Sequence, residues 1–210
     1  MGLHLGNLEV DTLRLGSATP AAAYSGAIKV WPLAADSFES AGAFESIATV
    51  TVGSGGASSI EFTSIPGTYR HLQVRGLIRT SESSAQSNYL IRLNGDTRAS
   101  YKCHNLRGSG SAVTASNFTD PIIGNVTAAG SAASSGVFGA FVIDILDYAS
   151  ASKTTTVRSF SGTDNNGSGF LALSSVLFTP TSGITQITFV HYGVDNLAEH
   201  STAALYGIKA

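Results

Sequence analysis

Charged residues are what this sequence has least of. Asp, Glu, Lys and Arg make up 12% of the 210 residues, about half the share found in an ordinary globular domain. Since Lys and Glu normally fill exposed helix faces, their scarcity argues against helices and favours a surface that other subunits cover. The net charge of -2 provides no basic face for phosphates, so nucleic acid is not an expected partner.

Cysteine and long apolar runs are also scarce. The single cysteine, Cys103, cannot form an internal disulfide, and only His104 lies beside it, so zinc-ligand spacing is missing. No apolar run reaches about 18 residues, so membrane insertion is not expected. The N-terminus lacks a basic segment followed by an apolar one, which predicts synthesis in a cytoplasm without a signal peptide.

The clearest β pattern is a pair of runs between residues 137 and 162, joined by a small polar loop. In the first run Phe141 and Ile143 point one way, while Val142 and Asp144 point the other. Two β-rich runs around a short loop predict a hairpin. Because the first run is apolar on both faces near its middle, we expect it to be central and covered on both sides.

Shorter alternating runs predict the remaining strands. The clearest covers residues 71–80, where Leu72, Val74 and Ile78 share one face. Further strands are predicted at 44–52, 59–65, 89–93, 171–179, 184–191 and 203–209. Residues 97–135 are polar and weakly patterned, and such long excursions often carry binding sites. The prediction is an all-β fold, a jelly-roll-like β-sandwich of about eight strands with no helix.

Residues 1–34 differ from the rest of the chain. Leu3-His-Leu-Gly6 recurs as Leu13-Arg-Leu-Gly16, and residues 24–32 form a looser third copy. Each copy reads as a short strand broken at glycine, but so short a segment cannot bury enough surface to fold alone. We therefore expect a small module at 1–34, a linker at 35–43 and the sandwich at 44–210. The alternative is a simple N-terminal hairpin that folds onto the main domain.

Several of these motifs resemble structural proteins of tailed-bacteriophage virions. In the N-terminal module the match rests on Leu5-Gly6, Leu15-Gly16 and Val30-Trp31-Pro32. In the main domain it rests on turns and strand ends, among them Leu93-Asn-Gly-Asp-Thr97 and Leu205-Tyr-Gly-Ile208. The resemblance implies a tail-fibre or appendage protein located in the virion.

The same resemblance implies partners. The N-terminal module would attach to other virion proteins, with Leu5, Leu15, Val30 and Trp31 as its attachment residues. Phage appendages of this type are often trimeric, and low charge together with the outward-facing Leu77 and Leu90 agrees with a homotrimer. The alternative is a capsid decoration or cement protein, and a third reading is a carbohydrate-binding module.

Motifs for chemistry are missing, so we expect no enzyme, no metal and no cofactor. No Gly-x-Ser-x-Gly elbow stands between a strand and a helix. The five histidines show no metal-ligand spacing. Asp144 and Asp147 lie three apart on a predicted strand, so they face opposite sides and cannot act as an acid–base pair.

Reversible binding of a host-surface glycan is the function expected of the outward-facing sandwich. Sugar recognition combines an aromatic face with amide and acid groups. The candidate residues are Tyr101, His104 and Asn105 on the polar excursion and Asp164, Asn165 and Asn166 in a turn-rich loop. The alternative places Tyr101 in the core and has the asparagines only shape turns.

Overall fold

The computed structural model describes residues 3–5, 8–10, 23–25, 28–31, 43–120, 123–191 and 193–209. The chain divides into two compact units, Met1–Ala43 and Phe44–Ala210. The described residues form strands, turns and irregular segments, without a helix. In particular, this part of the chain has no helix that is long and apolar enough to cross a membrane.

The first unit contains two short antiparallel hairpins. Strand β1 (Leu3–Leu5) pairs with β2 (Leu8–Val10), and β3 (Ala23–Ser25) pairs with β4 (Ile28–Trp31). They correspond to the first and third copies of the predicted repeat. The second copy, which includes the predicted attachment residue Leu15, lies outside the described residues.

The second unit is a sandwich of two antiparallel sheets, which confirms the predicted fold class. The eight-stranded sheet has the order β10-β9-β14-β13-β12-β7-β16-β5, and the four-stranded sheet has the order β11-β8-β15-β6. The strands are β5 (Phe44–Thr51), β6 (Ser59–Phe62), β7 (His71–Ile78), β8 (Gln86–Leu93), β9 (Tyr101–Gly108), β10 (Val113–Asp120), β11 (Ile123–Ala129), β12 (Gly139–Leu146), β13 (Thr155–Asp164), β14 (Gly169–Phe178), β15 (Ile187–His191) and β16 (Thr202–Ile208).

The described part of this unit thus has twelve strands rather than about eight. The difference lies mainly in residues 97–135, which were predicted as a polar excursion and form β9, β10 and β11. Residues 113–117 of β10 are exposed on both faces of the strand, so it lacks a buried apolar face that the sequence could reveal.

The predicted hairpin of β12 and β13 does lie in the middle of the eight-stranded sheet. The expectation that β12 is covered on both sides is wrong. Ile143 and Ile145 are buried on the inner face, but Val142 is half-buried and Phe160 is 45% exposed on the outer face. The four-stranded sheet packs on the inner face only, which explains the asymmetry.

A single apolar core fills the space between the two sheets. Leu72, Val74 and Ile78 of β7 are fully buried in it, as their alternation predicted. Leu90, predicted to face outward, is instead 5% exposed. The strand that carries it, β8, lies between β11 and β15 and is buried on both faces around Leu90, so alternation misleads there.

The turn after β8 holds a nearly buried carboxylate that couples stability to pH. Asp96 accepts hydrogen bonds from the Arg98 guanidinium at 2.5 Å, the Arg98 backbone N–H at 2.7 Å and the Ser100 hydroxyl at 3.2 Å. Chiefly through the Arg98 side chain, these bonds hold the pKa of Asp96 below its usual range. A lowered folded-state pKa adds stability above the unfolded-state pKa, and that stability is lost as pH falls through the folded value.

We expect Asp96→Asn to lower the free energy of unfolding at pH 7 by about 1–2 kcal/mol. It should also flatten the acid limb of the stability profile below about pH 4. Urea unfolding between pH 7 and pH 2.5 measures both effects. Glu61→Gln, which removes an exposed carboxylate, is the matched control. Parallel profiles for wild type and Asp96→Asn would contradict the assignment.

Candidate functional site

Tyr101, the aromatic residue of the predicted glycan site, is a core residue. Its side chain is fully buried, and its hydroxyl accepts a hydrogen bond from the Leu93 N–H at 2.9 Å. Its ring centroid lies 4.9 Å from that of Phe178, and burial raises the pKa of its phenol to about 12. Tyr101 therefore supports the sandwich, as the alternative interpretation held, and does not offer a surface for a sugar.

His104 and Asn105 lie on opposite faces of β9. His104 is exposed on the outer face of the sheet, whereas Asn105 points inward and is only 7% exposed. Neither amide atom of Asn105 has a hydrogen-bond partner within the described structure. Because residues 101–108 form a strand and not a loop, successive side chains alternate, and the three predicted residues do not share one surface.

Asp164, Asn165 and Asn166 belong to the turn between β13 and β14. The Asp164 Oδ1 accepts a hydrogen bond from the Asn166 N–H at 2.8 Å, and Asn166 has φ of 54°. The Asn165 Nδ2 donates to the Ala85 carbonyl at 3.3 Å. Asn166 thus shapes the turn and the Asn165 side chain ties it to the segment before β8, while the Asp164 carboxylate is exposed and can meet a ligand.

The two halves of the predicted glycan site are far apart. Along β14, Gly169 pairs with Asp164 and Ser175 pairs with His104. Six residues of extended strand separate these positions, or about 20 Å. The Asp164 turn lies instead beside the turn between β9 and β10, since Leu171 pairs with both Gly162 and Gly108.

A groove of about 700 Å³ runs between these two neighbouring turns. This volume is within the range of small-ligand sites, roughly 300–1,000 Å³. Its lining is rich in glycine and hydroxyl groups, and Asp164 is the predicted site residue that belongs to it. The lining residues are Gly108, Ser109, Gly110, Gly162, Thr163, Asp164, Gly167, Ser168, Gly169, Phe170 and Leu171.

Phe170, which lines the groove, stacks its ring on the Arg107 guanidinium. The Arg107 guanidinium carbon lies 3.5 Å from the centroid of the Phe170 ring, an arrangement in which the ring face attracts the cation. Burial lowers the pKa of Arg107 from its ordinary value. The groove therefore combines hydroxyls and one exposed carboxylate, which can bind sugar hydroxyls, with a phenylalanine of which one ring face is covered by Arg107.

The outer face of the eight-stranded sheet carries a continuous apolar band. One row follows the register Leu77–Ala140–Gly162–Leu171–Gly108–Val113, and the next follows Val142–Phe160–Leu173–Leu106–Ala115. We call these two rows the apolar band. Its large side chains are 45% exposed at Phe160 and up to 73% exposed at Val113.

A polar row borders the apolar band on one side. It follows the register Gln73–Asp144–Arg158–Ser175–His104–Asn117. The Gln73 Nε2 donates a hydrogen bond to the Asp144 Oδ1 at 2.6 Å, whereas Arg158 is exposed and forms no ion pair within the described residues. His104 therefore belongs to this row rather than to a loop site.

A cluster around His191 was missed by the sequence analysis. The His191 Nε2 lies 3.1 Å from both the Ser87 Oγ and the Glu82 Oε2, and the Nδ1 accepts the Gly193 N–H at 3.0 Å. The Asp195 Oδ2 lies 3.7 Å from Nδ1, the nitrogen that donates a proton to the acid in a Ser–His–acid hydrolase. Here Nδ1 accepts the Gly193 N–H instead, so it has no proton to donate to Asp195. The hydrogen bond from Ser87, followed by that from His191, lowers the pKa of Glu82. This geometry suits a structural network.

Nothing in the sequence marks the His191 cluster, because His191 is more than 100 residues away from both Glu82 and Ser87. Within the described residues, no group of three or more His, Cys, Asp or Glu side chains is placed to hold a metal ion. The predicted attachment residues Leu5, Val30 and Trp31 fall at the ends of β1 and β4, and their role stays a prediction.

Comparison with known proteins does not assign this chain to a family. No family model matches the chain, and no curated protein matches it. A solved galectin of Caenorhabditis elegans, LEC-6, aligns with 74% of this chain and 94% of its own length at 15% identity. The TM-score of that alignment is 0.31, too low to carry an argument about fold or function.

Proposed function

We propose that this chain is a structural protein of a tailed-phage virion. In this proposal it is a tail-fibre or appendage component, held to the particle by residues 1–34, that presents its sandwich for host-surface glycan binding. The observation that carries the proposal is the apolar band, because an exposed apolar face of this size is typical of proteins that bind another subunit. The sequence resemblance to tailed-phage proteins indicates that the assembly is a virion.

The size of the apolar band supports an assembly role. Soluble monomers rarely expose contiguous apolar patches larger than a few hundred Å². Here Leu77, Leu106, Phe160, Leu171 and Leu173 are each about half exposed on neighbouring strands. Charged residues, which oppose association between proteins, make up only 12% of the whole chain.

We assign binding and no reaction to the protein. The hydroxyl, imidazole and carboxylate around His191 are arranged as a network rather than as a nucleophile and its base. Host-glycan binding belongs to the end of the groove formed by Gly167, Ser168 and Phe170, which are not part of the apolar band, in place of the site around Tyr101. Contact with several copies on one particle would strengthen weak individual sites.

Immunogold labelling of intact virions tests the location. We expect an antibody against residues 44–210 to label the tail. Labelling of the head would instead favour the decoration alternative, for which the same apolar band would cover capsomer junctions. Absence of the chain from purified virions would overturn both.

Deletion of residues 1–34 tests the attachment module. We expect particles to lose the protein, because the predicted attachment residues are removed while the second unit is untouched. The deleted chain should still melt cooperatively, which controls for misfolding. Normal incorporation of the deleted chain would refute the role of residues 1–34.

Filling the groove tests glycan binding. Ser168 is exposed in the β13–β14 turn and lines the groove. Its carbonyl accepts the Asn165 N–H at 2.7 Å, a bond that a new side chain leaves in place. We expect Ser168→Trp to reduce host-cell adsorption at least about tenfold, the effect of removing a major contact, with unchanged particle assembly.

The matched control is Ser152→Trp, in the exposed turn between β12 and β13. It adds the same indole outside the groove and should leave adsorption unchanged. Equal adsorption of Ser168→Trp and wild-type particles would remove the groove as the receptor site.

A further inference from the structure

We infer that the outer face of the eight-stranded sheet pairs with the same face of a second copy of this chain, about a twofold axis that runs along the apolar band. The inference goes beyond the virion assignment and is tested on the purified protein. It rests on the exposed area, the placement of the polar row and the charges on β13.

The exposed apolar area matches one side of an ordinary interface. A specific interface removes about 800 Å² from each partner, somewhat more than half of it apolar. Six large side chains of the band are each about half exposed or more: Leu77, Leu106, Val113, Phe160, Leu171 and Leu173. Together they provide several hundred Å² of apolar surface, enough for the centre of such an interface.

The polar row fits the rim of a twofold interface. It lies on one side of the apolar band only. A rotation of 180° about the band therefore places the two polar rows on opposite margins of the contact. The result is an apolar centre with a polar border, the usual anatomy of a protein interface. Like-charged groups of the two rows stay apart.

Two opposite charges on β13 complement each other under the same rotation. The centre of the band is level with Ser161, between Phe160 and Gly162. Arg158 lies three residues to one side of Ser161 and Asp164 three residues to the other. The rotation brings Arg158 of each copy level with Asp164 of the other. Facing sheets pack about 10 Å apart, a gap that these two side chains can span.

Both charges are available for this pairing. Arg158 and Asp164 are exposed, and neither forms an ion pair within the described residues. Their equal spacing from the centre of the band is a requirement of an isologous contact. In such a contact, Arg158 of each copy pairs with Asp164 of the other, so the same pair forms twice. A different partner would need no such symmetry, which favours a second copy.

Sedimentation equilibrium of the full chain is the first test. We expect a mass twice that of the 21.6 kDa chain at about 10 µM, a concentration at which standard interfaces are formed. A monomer would overturn the inference. That result is also the one expected if another segment of the same chain covers the band. A trimer, which the sequence resemblance implies, would overturn the twofold pairing.

Substitution within the band is the second test. Leu173 is 46% exposed, so Leu173→Lys should hardly affect the folded monomer but should bury an unpaired charge in the dimer. We expect a monomeric protein whose melting temperature equals that of wild type diluted until it is monomeric, since dimerisation itself raises the melting temperature. Val194→Lys, at a position 99% exposed and outside the band, is the control and should stay dimeric. A dimeric Leu173→Lys protein would exclude this face.

A charge swap tests the geometry of the pairing. Arg158→Glu and Asp164→Lys should each weaken dimerisation about tenfold, as close interfacial charge pairs do. The double variant restores opposite charges and should return to within about threefold of wild type. Melting temperatures control for the turn bond that Asp164 makes to Asn166. A double variant no tighter than the single variants would refute the twofold arrangement.

The two proposals fail separately. Loss of the dimer in these measurements leaves the location of the protein in virions to be decided by labelling. Conversely, absence from virions leaves the mass and the charge swap unaffected, since both are measured on the purified chain.

Discussion

Gly76→Ala is expected to destabilise the sandwich severely. Strand β7 lies between β12 and β16. A Cβ at Gly76 would lie 2.1 Å from the Thr202 carbonyl oxygen and 2.7 Å from the Phe141 ring. Neither can retreat, because one is ladder backbone and the other is packed in the core. We expect the free energy of unfolding to fall by about 3 kcal/mol or more, measured by urea denaturation.

Gly53→Ala is the matched control for this prediction. A Cβ at Gly53 would have nothing within 4 Å, so the substitution should change stability by less than about 0.5 kcal/mol or raise it slightly. If Gly76→Ala unfolds at the same urea concentration as wild type, then the close packing of Phe141 onto β7 is wrong.

Gly76 also shows what alternation in the sequence can predict. The period of two in residues 71–80 placed Leu72, Val74 and Ile78 on one face, and the structure buries all three. It placed Gly76 on that face as well, without revealing why the position has no side chain. The reason is the Phe141 ring, which lies 65 residues further along the chain, on the neighbouring strand β12.

The strands that the sequence missed lack a clean buried face. In β9 the inward positions include Asn105, a polar residue where alternation leads one to expect an apolar one. In β10, at the edge of the sheet, residues 113–117 are exposed on both faces of the strand. A pattern that depends on burial of alternate residues cannot report such strands.

The candidate surfaces depend on register, which the sequence does not contain. Leu106, Phe160 and Leu173 are far apart in the chain, and only the pairing of β9, β14 and β13 places them side by side. The same pairing puts the Asp164 turn beside the β9–β10 turn and creates the groove. The sequence identified Asp164 by residue type but assigned it the wrong neighbours.

Arg79 provides the second large expected effect, through backbone carbonyls rather than through a carboxylate. Its Nη1 donates to Ser134 and Val137 at 2.8 and 2.9 Å. Its Nη2 donates to Ala133 and Ser131 at 2.9 and 3.1 Å. One guanidinium thus fixes the segment between β11 and β12. Because hydrogen bonds from a charged donor contribute about 1.5–3 kcal/mol, we expect Arg79→Ala to cost at least about 2–3 kcal/mol.

Arg79→Lys separates the role of charge from that of shape. Lysine keeps the charge, but its donors radiate from one point and cannot reach four carbonyls that converge on a planar fork. We expect Arg79→Lys to recover less than half of the loss and to speed amide hydrogen exchange across residues 130–138, while amides in β12 stay protected. Arg70→Lys is the control, because Arg70 is 57% exposed in a surface ion pair with Asp147, worth less than about 1 kcal/mol. Wild-type stability and exchange in Arg79→Lys would show that a cation alone holds the segment, and that the planar fork of donors does not matter.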